Sequence, residues 1–160
     1  MYPVSIGYSG ARARISSLLD NGHDAEALVT TAFTVEKTLR RTLRQIVVLA
    51  GFRSNIAEKI VGNLRGLDAV RKAWELYDPQ HRTLTSIVIE ADWKVIKDAA
   101  EMRNKLVHGE RVFNLDDCRR KAMDTLAALD RLKDTLDQEY KYSGWGRLKV
   151  RKKSRLHVSD

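Results

Sequence analysis

Residues 24–51 read DAEALVTTAFTVEKTLRRTLRQIVVLAG, and this stretch decides the fold class. Leu28, Ala32, Val35, Leu39, Leu43, Ile46 and Ala50 follow one another at spacings of three and four residues. A strand returns a side chain to the same face at every second residue; a helix does so at every third or fourth. The run is therefore one apolar face of a single long helix. Asp24 supplies an N-cap and Gly51 a stop. The opposite face carries Lys37, Arg40, Arg41 and Arg44.

The same period recurs on either side. Residues 1–10, with Pro3, Gly7 and Gly10, read as irregular, and residues 11–19 as a short helix stopped at Asn21-Gly22. Ser54 caps a piece reaching Leu64, and Gly66 breaks it. Leu67, Val70, Trp74 and Tyr77 line the next, which Asp78-Pro79 ends. A second long run, capped by Thr83 or Thr85, places Leu84, Val88, Ala91, Val95, Ala99, Met102 and Leu106 in one stripe. A third uses Leu115, Ala122, Leu126, Leu129, Leu132, Leu136 and Tyr140, with Asn114 as N-cap and Asp117 in the first turn. Ser143-Gly144-Trp145-Gly146 ends it. No strand pattern appears before residue 146. The expectation is an all-α fold, an antiparallel bundle of four to five helices over residues 1–140, with a basic C-terminal tail over 141–160. In that tail Leu148-Lys149-Val150-Arg151 fits either a short edge strand or an extended arm.

A chain of 160 residues suits one domain with one core. No apolar run approaches the roughly 20 residues needed to cross a bilayer. The start, Met1-Tyr2-Pro3-Val4-Ser5-Ile6, lacks the basic and apolar blocks of a secretion signal, so a cytoplasmic location is expected. A single cysteine, Cys118, excludes an internal disulfide and a multi-cysteine zinc site. The net charge of +8 is unevenly placed. Seven basic residues and one acid, Asp160, give the tail +6, and the first 140 residues carry the remaining +2. A polycation beside Tyr140, Tyr142 and Trp145 suits an RNA arm that combines charge with stacking, through Lys149, Arg151, Lys152, Lys153 and Arg155. A solvated end is the plainer reading of the same residues. The basic side chains fall on no amphipathic helix, which argues against a membrane surface.

The chemistry gathers at Glu101-Met102-Arg103-Asn104-Lys105-Leu106-Val107-His108-Gly109-Glu110. Arginine offers a planar fork of donors that fits phosphate oxygens. Imidazole exchanges protons near neutral pH, and asparagine donates or accepts. The order Arg103-Asn104, three residues, His108-Gly109 resembles the signature of the HEPN family, small helical domains that include metal-independent ribonucleases. The resemblance spans roughly residues 24–140, and the flanking helical runs strengthen it. The bare alternative is helix termination, since Asn, His and Gly are all common at a helix C-terminus.

A spacing of five residues turns a side chain by about 140° net on a regular helix, so Arg103 and His108 point to different sides. Either the helix loosens before Gly109, or a second chain completes the site. The resemblance implies the second: such domains pair with their motifs face to face, so that two histidines flank one cleft. Cleavage of RNA by its own 2′-OH needs a base for that hydroxyl, an acid for the 5′-oxygen and positive charge on the phosphate. His108 would move the protons, Arg103 would hold the phosphate and Asn104 would orient either. Glu36, within residues 24–51, is a supporting candidate; its plain role is pairing with Arg40 one turn away. The products would be a 2′,3′-cyclic phosphate and a 5′-OH. No metal or cofactor is expected. The implied setting is the toxin of a toxin–antitoxin or phage-defence system, with a nucleotidyltransferase-like antitoxin as partner. The competing reading is a non-catalytic module that binds RNA, a nucleotide or an antitoxin.

Overall fold

The computed structural model describes residues 7–157. The fold is all-α, a bundle of helices, and no strand forms among the described residues. The helices are α1 (Tyr8–Asp20), α2 (Asp24–Leu49), α3 (Ser54–Gly62), α4 (Gly66–Tyr77), α5 (Leu84–Ile87), α6 (Glu90–Val107) and α7 (Leu115–Tyr140). The irregular start expected over residues 1–10 lies outside the described residues up to residue 6; from Tyr8 the chain is already helical.

Two compact units divide the described residues. The first takes in residues up to 36 together with 91–132, the second residues 37–90 together with those from 133. The tail belongs to the second unit, with the C-terminal half of α2 and the last turns of α7.

In the first unit Ile15, Leu28, Val35, Ile96, Ala99, Ala122 and Leu129 are buried. Charge pairs tie the helices that supply them. Arg12 on α1 lies 2.8 Å from Asp130 on α7, and Tyr8 donates to the same carboxylate. Arg119 on α7 reaches the Leu19 carbonyl at 2.9 Å and Asp24 at 3.4 Å. Asn114 caps α7 as its sequence promised, its Oδ1 accepting the Asp117 N–H at 2.7 Å.

The apolar stripe of α6 is not where hydropathy placed it. The buried residues are Asp92, Ile96 and Ala99, one position on from Ala91 and Val95. Asp92 can occupy the inner face because Arg131 grips it with two teeth, Nε to Oδ2 at 2.9 Å and Nη2 to Oδ1 at 2.7 Å. This register carries straight on to Arg103, at the next inward position. The run from Thr83 is also broken: α5 stops at Ile87, Val88 is extended, and α6 starts at Glu90. Three successive β-branched residues, Ile87, Val88 and Ile89, are stiff at χ1 and weaken a helix there. Leu115, read as core, is 56% exposed, and Cys118 takes the buried place in the first turn of α7.

In the second unit Leu39, Leu43, Ile46, Val61, Val70, Trp74, Leu84 and Leu136 form the core. The arginines of the cationic face of α2 are structural here. Arg40 donates to the carbonyls of Val61 at 3.1 Å and Leu64 at 2.8 Å, closing the end of α3. Arg41 Nε donates to Gly144 O at 2.7 Å, and Trp145 Nε1 to Thr38 Oγ1 at 3.1 Å. Gly144 has φ +89°, and a Cβ there would meet Thr38 O at 3.0 Å, so glycine is what lets the chain turn onto α2. Tyr142 and Ser143 are buried. The tail is thus fastened to its unit instead of trailing from it.

A polar cluster fastens α4 to α7. Asp78 follows α4 and its side chain is wholly buried. It accepts from Tyr140 Oη at 2.5 Å, from Arg82 Nη2 at 3.1 Å, and from the backbone N–H of Gln80 at 2.9 Å and Arg82 at 3.1 Å. Trp74 Nε1 donates to Tyr140 Oη at 2.9 Å, and Arg82 Nη1 to Glu139 at 2.7 Å. Burial pushes the Asp78 carboxyl upward, but the bonds from Arg82, Tyr140 and the two N–H groups outweigh it and hold the group down at about 2. Burial and the neighbouring carboxylate push the Tyr140 phenol upward.

Candidate functional site

The end of α6 is a Schellman motif, and its geometry decides how the motif residues stand. The His108 N–H donates to Asn104 O at 3.0 Å, the regular helical bond. The Gly109 N–H donates to Leu106 O at 3.3 Å and the Glu110 N–H to Lys105 O at 2.9 Å. Gly109, with φ +67°, is the left-handed residue such an end requires. His108 is therefore the C-cap, and the helix does not loosen before it. One of the two ways of bringing Arg103 and His108 together is removed: within one chain they stay about 140° apart around α6.

Arg103 and its neighbours form one group. The Arg103 side chain is 31% exposed, and Nη1 lies 3.9 Å from Glu36 Oε2 on α2 and donates to Asn104 Oδ1 at 3.3 Å. At 3.9 Å the carboxylate is at the limit of an ion pair. Arg103 Nε is buried and has no hydrogen-bond partner among the described residues. A buried guanidinium N–H without an acceptor costs about 1–3 kcal/mol, so it is rarely left without purpose. Glu36 thus joins Arg103 and Asn104, while His108 stands apart on the exposed surface. No ring bond of His108 occurs among the described residues.

Beside this group the first unit has a groove of about 390 Å³ lined by Ala25, Glu26, Val29, Thr30, Leu106 and Val107. Val107 is 58% exposed, and Phe33, on α2, is 55% exposed. After the helix, Arg111 lies 4.8 Å from the ring centre of Phe113. The sequence reading passed over that cation–π pair, and only the position of Arg111 just beyond the motif could have drawn attention to it. Among the described residues no group of three or more His, Cys, Asp or Glu side chains is placed to hold a metal ion. No helix among them is long and apolar enough to cross a membrane.

The tail cations stand in the other unit. Lys149, Lys152, Lys153 and Arg155 are exposed, and Arg151 is half-buried with Nε donating to Val48 O at 3.0 Å. Compared with family models, with curated proteins and with solved structures, the chain finds no match in any of the three.

Proposed function

We propose that the protein is a metal-independent endoribonuclease of HEPN type, acting as a homodimer that brings two copies of His108 to one cleft. The observation that carries this reading is Arg103: a half-buried guanidinium with one N–H unanswered, flanked by Asn104 and Glu36. A phosphate oxygen is an acceptor of the right charge and shape for it. Glu36, at 3.9 Å, holds the guanidinium loosely enough to leave it available. His108 is exposed at the helix end, away from Arg103, which suits service across an interface better than service within one chain. One imidazole would take the 2′-OH proton and the second would protonate the 5′-oxygen. The exposed Phe33 and Val107 and the groove beside them give a second copy apolar area to cover. A role as the toxin of a toxin–antitoxin or phage-defence pair, held by a nucleotidyltransferase-like antitoxin, follows from the same reading.

The test is cleavage of RNA in EDTA by the purified protein, with products carrying 2′,3′-cyclic phosphate and 5′-OH ends. His108→Ala should lower the rate by ~10²–10⁴. Full activity in that variant would remove His108 from the mechanism. The absence of an orienting bond on His108 favours a second reading, a non-catalytic module that binds RNA, a nucleotide or an antitoxin. It predicts binding without turnover in wild type and variant alike.

A further inference from the structure

The tail holds more than charge. Its backbone is bonded into the second unit at four points: Lys149 N to Gln45 Oε1 at 3.0 Å, Arg151 N to Ser54 Oγ at 2.7 Å, Ser54 N to Arg151 O at 2.9 Å, and Arg155 N to Gly51 O at 2.9 Å. So fixed, it walls two clefts. One, of about 470 Å³, is lined by Phe52, Arg53, Ile56, Lys152, Lys153 and His157, among others. The second, of about 350 Å³, is lined by Lys149, Arg151, Lys152, Lys153 and Arg155 together with the apolar Val48, Leu49 and Val150. The clefts share Lys152 and Lys153, and no acidic residue lines either of them. None of these cations is ion-paired among the described residues. Basic residues recur at every second position, Arg147, Lys149, Arg151, Lys153 and Arg155.

We infer that these joined clefts are a docking surface for a single strand of nucleic acid, with phosphates on Lys149, Lys152, Lys153 and Arg53 and a base against the ring of Phe52. Several cations around clefts that hold no acid, with the Phe52 ring lining one of them, match the phosphates and bases of a strand. A membrane presents a plane of head groups, and the clefts offer it no apolar helix to bury. Because the tail is already fastened, a strand meets cations that need no ordering on binding. The choice of RNA as the natural strand rests on the function proposed above. The surface itself rests on the geometry of this unit.

Fluorescence anisotropy with the full chain and a labelled oligothymidylate of about 12 nucleotides tests it, at about 50 to 200 mM salt. DNA lacks the 2′-OH, so the readout is independent of any cleavage. Wild type should bind with a clear loss of affinity as salt rises. The triple variant Lys149→Glu, Lys152→Glu, Lys153→Glu should bind at least ~10-fold more weakly, with the slope against log salt flatter by about two. None of these three side chains takes part in the four fastening bonds, and thermal melting checks the fold; a Lys→Gln triple repeats the test if the first variant melts early. Phe52→Leu should weaken binding ~5-fold or more with the slope unchanged. Binding by a folded triple variant within about twofold of wild type overturns the inference. So does binding to phosphatidylserine vesicles without binding to the strand. Strand binding without RNA cleavage in EDTA removes the ribonuclease and leaves this surface standing; cleavage without strand binding does the reverse.

Discussion

Asp78 and Arg103 are both charged groups partly or wholly withdrawn from water, and their surroundings differ in kind. Asp78 in the second unit receives donors from Arg82, Tyr140, Gln80 N and Arg82 N, and Tyr140 is itself bonded by Trp74. Arg103 in the first unit has a carboxylate only at 3.9 Å and a buried Nε with no partner among the described residues. A closed polar cluster holds helices together. An open one keeps bonding capacity for something the chain does not supply. On the function proposed above, the difference separates a structural charge from one that binds substrate.

The largest expected break of that contrast is Asp78→Ala. It leaves Tyr140, Arg82 and two backbone N–H groups facing a void, and should cost about 3–5 kcal/mol in urea unfolding. A loss under about 1 kcal/mol would show that the cluster is not closed as drawn. Next comes acid. The folded carboxyl of Asp78 is held at about 2, below its ordinary value. Its stabilisation is therefore complete above about pH 4 and is lost as pH falls towards 2, on the order of 2 kcal/mol. Asp130, which Arg12 and Tyr8 also hold below its ordinary value, adds a loss of the same sign. The difference between wild type and Asp78→Asn across that window isolates the Asp78 share; identical pH profiles would refute it. The smallest effect on stability sharpens the comparison from the other side. Arg103→Leu removes the unanswered donor and should change unfolding by less than about 1 kcal/mol, in either direction. The same variant should abolish the RNA cleavage proposed above. Destabilisation as large as that of Asp78→Ala would make Arg103 a structural charge after all.

The elements were unequally legible. Along α2 the pattern of threes and fours named Leu28, Ala32, Val35, Leu39, Leu43, Ile46 and Ala50; the first six are buried, and Ala50, just past the end of the helix, is exposed. Apolar side chains have no better alternative than the core, so their spacing reports it directly. Along α6 the same method erred by one position, because Asp92 is inside and Ala91 outside. A carboxylate is buried only where a partner meets it, and Arg131 lies 39 residues away in the chain. The tail left two readings open, a solvated end and an RNA arm, for a related reason. Its side chains are cationic and read as solvated, but its backbone bonds, to Gln45, Ser54 and Gly51, are what fasten it.

For the candidate site, Arg103, Asn104, His108 and Gly109 could be singled out from order alone, and Gly109 could be read as the end of a helix. Sequence by itself determined the helical class, the long apolar face of α2, the cap at Asn114 and the uneven placing of charge. These follow from local preference and period, which need no knowledge of distant residues. Only the tertiary structure decided that α6 turns Arg103 towards Glu36 and that the tail is folded down as a wall. Each of those depends on a polar group meeting its partner, or failing to, across tens of residues of chain. Hydrogen bonding is directional and short in range, and the order of residues does not record who comes within reach.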